Sequence, residues 1–366
     1  MNKQTGARLL PLLLRRLCVV GILMLAGRTL CGAEPDSAAA VSKYLRDMQG
    51  NDHDTRLKAA VALSKMDCSI LPKLLPLLKH DDDEVRQYTV VAIGGMGIKA
   101  EEAIPQLTEM LKDVEDEVRY SAADALAEMG SAAAPAIDPL LKLFDDPDIS
   151  ARQSAAEALG AIGPEARPKL LAILKDPRSS NSHREYACMA LGCLRPVDED
   201  TVTEVSRQLR NKDEDVRLEA LESLAVMGSA ASNAVPYLVA LYRRDVKLRW
   251  AISNCIGRIE PDSPEAVKAI HLSLKDEDAT VRLFGLVAFS RLTLPVKERL
   301  AVYRRLTKDS NALVRQMVVR ELRDLQERAY PALAELKALQ KDSDADVRQV
   351  ATRTVKALTL TEDDIE

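Results

Sequence analysis

The chain has 366 residues, of which 47% are hydrophobic, 29% are charged and only 3% are aromatic, and its formal net charge is −5. With 15 Gly and 17 Pro, the composition excludes a collagen-like or low-complexity chain. The scarcity of aromatic residues argues against an all-β sandwich or barrel. Ala and Leu dominate instead, which favours helices. The composition therefore predicts an all-α protein.

The N-terminal segment has the pattern of a secretory signal peptide. Residues 1–33 contain five basic and no acidic side chains, and the apolar run from Leu17 to Ala26 is too short to span a bilayer. Small residues at Cys31 and Ala33 place cleavage after Ala33. A lipidated Cys31 and an uncleaved membrane anchor are the alternatives. We expect an extracytoplasmic protein (periplasmic, cell-envelope or secreted), with membrane attachment only if this segment is retained.

One arginine recurs at intervals of 30 to 33 residues along the rest of the chain. The residues seven and ten positions after it are apolar in all ten cases, and the residue three positions after it is usually Ala or Gly. These spacings place the three positions on one face of a helix. The ten arginines, called here the arginine ladder, are Arg56, Arg86, Arg119, Arg152, Arg184, Arg217, Arg249, Arg282, Arg315 and Arg348.

Each ladder arginine lies on a helix with recognisable start and stop signals. Four residues earlier the residue is acidic in eight of ten repeats and is Ser180 or Asn311 in the other two, which are residue types that cap helix N-termini. Glycines suited to the left-handed conformation just past a helix end are Gly97, Gly130, Gly163 and Gly228.

A first helix, often with Pro near its start, precedes each of these capped second helices, so the repeat is a pair of helices. One pair cannot bury its apolar face alone, and stacked neighbours can. We therefore predict an all-α fold, an α-solenoid (α-α superhelix) of about ten two-helix repeats over residues 34–360. Residues 361–366 form an acidic tail that we predict to be disordered.

The starts of several second helices resemble a known repeat family. Asp83-Glu84-Val85-Arg86, the segment 116–130 and the segment 215–221 are similar to HEAT repeats, and more closely to the short HEAT-like repeats of the phycobilin lyase type. The resemblance covers about residues 40–358. It implies that each ladder arginine bridges to an acidic turn residue of an adjacent repeat. Because the family includes scaffolds, adaptors, pigment lyases and other enzymes, the resemblance implies no single activity.

The candidate site is the solvent-facing side of the second helices, opposite their apolar stripe. In HEAT-type stacks these helices line the concave face, and offsets +1, +5, +8 and +9 from the ladder arginine lie opposite the apolar stripe. Aromatic side chains near the helix starts and acidic side chains at +5 predict a groove for a polypeptide with basic segments. The candidate partner-binding residues are Tyr88, Tyr120, Asp124, Glu157, Tyr186, Glu222, Trp250 and Phe284. Packing between repeats is the alternative role of these side chains.

No catalytic, metal or cofactor site is predicted, because no Cys/His spacing has the pattern of a metal site and no histidine is followed by Glu. Residues 34–366 carry 46 basic and 56 acidic side chains, which disfavours nucleic acid as a partner. The charge is uneven: residues 34–280 have 30 basic and 43 acidic side chains, and residues 281–356 have 16 and 9. This asymmetry is compatible with self-association.

The sequence thus predicts an exported, non-catalytic scaffold or adaptor that binds a protein or peptide partner on its concave face. The alternative is an enzyme or enzyme accessory, lyase-like or metal-dependent, that uses the same groove.

Overall fold

A computed structural model describes residues 38–359, so the predicted signal peptide and the predicted acidic tail lie outside the described residues. Within that range every regular element is a helix, and first and second helices alternate in ten pairs. The prediction of an all-α solenoid is confirmed. Short 3₁₀ turns, such as Gly97–Ala103 and Gly228–Ala234, lead into several of the first helices.

The first helices are α1 (Ala38–Met48), α3 (Leu71–Leu74), α5 (Ile104–Met110), α7 (Ile137–Lys142), α9 (Arg167–Lys175), α11 (Glu199–Gln208), α13 (Val235–Arg244), α15 (Pro264–Ser273), α17 (Val296–Leu306) and α19 (Leu333–Leu339). The second helices are α2 (His53–Leu63), α4 (Asp83–Gly94), α6 (Asp116–Glu128), α8 (Ile149–Ile162), α10 (Asn181–Cys193), α12 (Glu214–Met227), α14 (Arg249–Ile259), α16 (Ala279–Ser290), α18 (Ala312–Asp324) and α20 (Ala345–Thr359). The described chain divides into two compact units, residues 38–170 (unit 1) and residues 171–359 (unit 2).

Side-chain caps start most of the second helices where the sequence predicts them. Each capping side chain accepts a hydrogen bond from an amide of the first helical turn, which satisfies a donor that has no partner inside the helix. The capping residues are Asp52, Asp82, Asp148, Ser180, Asp213, Asp278 and Asn311. Glu115 stands at the cap position of α6 without such a bond. Helix α14 begins later than predicted, at Arg249.

The four predicted stop glycines all have a positive φ, between 57° and 97°. A residue with a Cβ is strained in that conformation, which explains glycine at these turns. Gly228 also divides the stretch Glu214–Arg244, which by length and hydropathy alone could cross a membrane. Its apolar residues Leu221, Leu224 and Leu238 are buried in the repeat core.

The residues seven positions after the ladder arginines form the centre of the core. Nine of the ten have no exposed surface, and Val355 is 7% exposed. They are Leu63, Ile93, Leu126 and Leu159 in unit 1, and Leu191, Leu224, Ile256, Phe289, Leu322 and Val355 in unit 2. This confirms the apolar stripe that the repeat register predicts.

Consecutive second helices approach each other very closely at small residues. A Cβ placed on Gly94 would lie 2.8 Å from the Ala125 Cα atom, and one on Gly257 would lie 2.7 Å from the Ala288 Cα atom. Gly192 meets Ser223 in the same way, at 3.0 Å. These three glycines occupy offset +8, which the helical periodicity of the sequence predicts to face solvent. The prediction is wrong at these positions, because offset +8 packs against the next second helix.

Candidate functional site

The ladder arginines join neighbouring helix pairs. The Arg86 guanidinium donates two hydrogen bonds to Asp113, at 2.8 and 2.9 Å, and a third to the His80 carbonyl in its own turn. Both side chains are nearly buried, 12% and 8% exposed. The bridge that the family resemblance implies is present in Arg56–Asp82, Arg86–Asp113 and Arg119–Asp146 of unit 1, and in Arg217–Asp245, Arg249–Asp276, Arg282–Asp309 and Arg315–Asp342 of unit 2.

Arg152, Arg184 and Arg348 donate hydrogen bonds to other kinds of acceptor. Arg152 and Arg348 donate to carbonyls of their own turns, Asp146 and Asp342 respectively. Arg184 donates to the side-chain oxygen of Gln208 at 3.3 Å, and Asn211 stands at the position where Asp113 and Asp309 lie in their repeats.

The ladder carboxylates are held in their ionised form. Burial is the largest single influence on Asp113 and Asp309 and opposes their ionisation, but hydrogen bonds from Arg86 and Arg282, backbone hydrogen bonds and the arginine charges together outweigh it, so the pKa of each carboxyl lies below its ordinary value. All three guanidinium nitrogens of Arg86 and Arg282 donate hydrogen bonds within the protein, so these ladder arginines have a structural role and do not form a surface for anions.

Two of the predicted anchor residues are core residues. Tyr88 is 5% exposed and Tyr186 is 4% exposed. The Tyr88 hydroxyl is 3.0 Å from Nδ1 of His53 on the preceding second helix. The second helices contact both neighbours as well as their own first helix, and offset +2 falls inside that contact. Neither ring can therefore serve as an exposed anchor, which corrects the sequence-based interpretation of Tyr88 and Tyr186.

The other predicted aromatic residues are half-buried. Trp250 on α14 and Phe284 on α16 pack against each other with ring centroids 5.0 Å apart and a 45° interplanar angle. Tyr120 on α6 accepts a long hydrogen bond, 3.4 Å, from Nε2 of Gln87 on α4. These rings contribute to packing between repeats and also present part of their surface to solvent.

Unit 1 concentrates negative charge on its second helices. We call Tyr120, Asp124, Glu128, Ser154 and Glu157 the acidic patch; its members lie on α6 and α8. Burial, together with the charges of Glu157 and Glu128, raises the pKa of Asp124 to about 6, although a hydrogen bond from Ser154 partly opposes the shift. Mutual repulsion of this kind makes a positively charged group beside the patch favourable.

In unit 2 the charge of the side chains on the second helices changes from negative to positive along the chain. Glu222 on α12 pairs with Arg258 on α14 at 2.7 Å. Partial burial and the neighbouring charge of Arg258 lower the pKa of Arg291, the residue that follows α16. Further along, Arg320 on α18 and Arg353 on α20 are exposed at the same offset, +5, that Asp124 and Glu157 occupy in unit 1.

One group of carboxylates in the described part of the chain could approach a metal ion. Ligand atoms of Glu115, Asp116 and Glu117 lie within 4.8 Å of one another at the start of α6. Acidic first turns are also favoured by the helix dipole alone, so this cluster has a sufficient structural explanation.

Paired helices that stack through ladder contacts define an α-solenoid of two-helix repeats. The family model for HEAT repeats matches residues 71–160 and 168–247, and that for the PBS lyase HEAT-like repeat matches residues 151–176. The chain thus contains HEAT repeats over residues 71–247. No curated protein sequence matches it as a relative.

Several solved structures are similar in fold. The Kap95:Nup1 complex matches with a TM-score of 0.61 and 14% identity over 89% of this chain and 53% of that one. Importin beta matches with a TM-score of 0.57 and 13% identity over 87% and 52%. Karyopherin Kap121p, bound to the extreme C-terminus of the protein phosphatase Cdc14p, matches with a TM-score of 0.51 and 11% identity over 88% and 46%. The chain thus spans about half the length of these proteins.

Proposed function

We propose that this protein is an exported, non-catalytic scaffold that binds a polypeptide along the outward side of its second helices, and that the acidic patch of unit 1 receives basic side chains of that partner. The observation that carries the proposal is the repeat register. It places side chains of consecutive second helices in one row, so that Asp124 and Glu157 present like charges from neighbouring repeats. An extended peptide meets such a row one repeat after another.

The charge balance of unit 1 supports a basic partner. Residues 38–170 carry 23 acidic and 15 basic side chains. Arg56, Arg86 and Arg119 form ion pairs with the ladder carboxylates, so these arginines do not neutralise the acidic patch. Charge complementarity of this kind increases association rates and selects against acidic partners.

The similar solved structures support polypeptide binding as a use of the fold. Kap95 is in complex with Nup1, and Kap121p is bound to the C-terminus of Cdc14p. At 11–14% identity the likeness concerns the fold alone, and the partner chemistry proposed here rests on the residues of this chain.

Fluorescence anisotropy with a labelled Lys-Ser repeat peptide tests the proposal. Replacing Asp124 and Glu157 by Asn and Gln should weaken binding about tenfold at low salt. Glu101→Gln with Glu102→Gln is the matched control, because it removes two exposed carboxylates of the same unit away from the second helices. Equal weakening in both double variants, or no binding by the wild-type chain, would contradict a specific acidic patch.

Export is tested separately. In cell fractionation, the full chain should reach the extracytoplasmic fraction and its N-terminal sequence should begin at Glu34, while a chain that starts at Glu34 should stay in the cytoplasm. A cytoplasmic full chain that retains residues 1–33 would contradict export. A cofactor, metal or pigment retained by the purified chain would favour the enzymatic alternative over a scaffold.

A further inference from the structure

A surface cavity of about 280 Å³ lies between α11 and α13 in unit 2, on the side of the first helices. It is separate from the acidic patch, which lies on second helices of unit 1. Its lining includes Ser206 and Arg207 of α11, Arg210 of the following turn, Asn233 and Tyr237. None of the lining residues is acidic.

Arg210 is held in place at the edge of the cavity. Its Nε atom donates to the Tyr237 hydroxyl oxygen at 3.0 Å, and its guanidinium carbon lies 5.2 Å from the centroid of the same ring. No carboxylate in the described part of the chain forms an ion pair with it. Its two terminal nitrogens are therefore a preorganised fork that matches the two oxygens of an oxyanion.

The neighbouring groups add further donors. The Tyr237 hydroxyl accepts from Arg210 and so keeps its own hydrogen for donation. The Ser206 hydroxyl is buried and has no hydrogen-bond partner among the described residues. Burying a hydroxyl without a hydrogen-bond partner is unfavourable, so an acceptor that enters the cavity and meets it is favoured. Arg207 also lines the cavity, but its charge is offset by its ion pair with Glu204 at 2.5 Å, so Arg210 is the arginine available to an anion.

From these observations we infer that the cavity is a binding site for a carboxylate carried on a short carbon chain. Val202, Ala234 and the Tyr237 ring give the cavity an apolar part that suits methylene groups. Its volume is just below the usual range for drug-sized ligands, so it fits one amino-acid side chain or a small organic acid. The same chemistry can come from an acidic residue of a bound polypeptide or from a free dicarboxylate.

Isothermal titration calorimetry on the full chain tests the site with three probes: glutarate, an N-acetylated and C-amidated tetraglutamate peptide, and inorganic phosphate. Arg210→Gln should weaken glutarate binding about tenfold, and Tyr237→Phe should weaken it less, because Arg210 keeps its charge but loses its hydrogen-bonded support. Arg243→Gln is the matched control: this arginine is exposed on α13 and does not line the cavity.

Tighter binding of the peptide than of glutarate would identify a polypeptide carboxylate as the ligand, and the reverse would identify a free organic acid; either result supports the site. Three results would overturn it: no binding of glutarate or peptide to the wild-type chain, tighter binding of phosphate than of both carboxylates, or equal weakening by Arg210→Gln and Arg243→Gln. Thermal unfolding followed by circular dichroism shows that the variants are folded, and Ser206→Ala provides a second variant if Arg210→Gln is not.

Discussion

Asp309 accepts two hydrogen bonds of 2.8 Å from Arg282, which lies 27 residues earlier on the preceding second helix. The same carboxylate accepts a hydrogen bond from the backbone amide of Asn311 at 2.8 Å. One side chain thus joins two neighbouring helix pairs and shapes the turn between α17 and α18. The Arg282 and Asp309 side chains are only 12% and 5% exposed, so this pair is shielded from water.

We expect Asp309→Ala to lower the free energy of unfolding by about 3 kcal/mol, because it leaves the Arg282 guanidinium buried without its carboxylate. Urea denaturation followed by far-UV circular dichroism measures the change. Asp324→Ala removes a carboxylate that is 66% exposed and pairs with Arg323 at 3.3 Å, so it should cost less than about 1 kcal/mol. Similar losses in the two variants would contradict the special weight given to the ladder pair.

Acid should destabilise the fold through the same carboxylates. Hydrogen bonds from Arg315 lower the pKa of Asp342 below its ordinary value of 3.8. Burial opposes ionisation of Asp309, but hydrogen bonds from Arg282 and from the Asn311 amide, together with the arginine charges, lower its pKa as well. Their stabilisation is therefore fully present above the unfolded-state value and is lost as pH falls through the lower, folded-state value. Urea midpoints should decline below about pH 4, and the decline should be shallower in Asp309→Asn. Parallel curves for the two proteins would contradict this origin.

Gly257→Ala tests the close approach of the second helices. In an open helix this substitution stabilises by about 0.5–1 kcal/mol, but here the new Cβ would lie 2.5 Å from the Ala288 Cβ atom. We expect a net destabilisation of about 1–3 kcal/mol from overpacking. Asn254→Ala on the same helix lies at half-exposed offset +5 and should be neutral or slightly stabilising. A Gly257→Ala chain with a raised urea midpoint would show that the helices can separate freely.

Asp124 links stability to pH in the opposite direction. Since the pKa of Asp124 is raised to about 6, the folded chain holds this proton more tightly than the unfolded chain, and the resulting stabilisation is lost as pH rises from the ordinary value of 3.8 through about 6. Asp124→Asn should raise the thermal midpoint at pH 8 and change it little at pH 3. The wild-type chain should bind the Lys-Ser peptide more tightly at pH 8 than at pH 5, and this pH dependence should shrink in the variant. A variant that is less stable at pH 8 would contradict the repulsion.

Trp250 distinguishes packing from partner binding. Trp250→Ala removes the ring contact with Phe284 and should lower the free energy of unfolding by about 1–2 kcal/mol, since the residue is only half-buried. The affinity of the folded variant for the Lys-Ser peptide, measured by fluorescence anisotropy, shows whether Trp250 also binds the partner. An unchanged affinity would remove Trp250 from the candidate partner-binding residues.

The repeat signal in the sequence is strong because every repeat needs the same few contacts. Each repeat has an arginine that contacts the turn, a residue that caps the second helix and often a glycine that ends it. Their regular spacing predicts ten helix pairs and the buried residues at offset +7. Exposure of individual side chains is harder to predict. Tyr88, Tyr186 and Gly257 lie at offsets that one isolated helix would show to solvent, and stacking on both neighbours buries them.

The carboxylate cavity has no signature in the sequence. Ser206 and Arg210 belong to one helix pair and Tyr237 to the next, and only stacking brings them together. Arg210 occupies the position just after a first helix that Lys112 and Lys275 occupy in other repeats. From the sequence it is therefore an ordinary basic residue at a helix end. Spacing along the chain carries no information about that contact.

Gln208 gives unit 2 one junction that does not respond to protons. Its amide oxygen receives Arg184 where other repeats use a carboxylate, and an amide stays neutral at every physiological pH. In a progressively acidified compartment, the junctions closed by Asp309 and Asp342 would loosen before the one closed by Gln208. Acid would therefore weaken individual junctions of this unit rather than all of them at once.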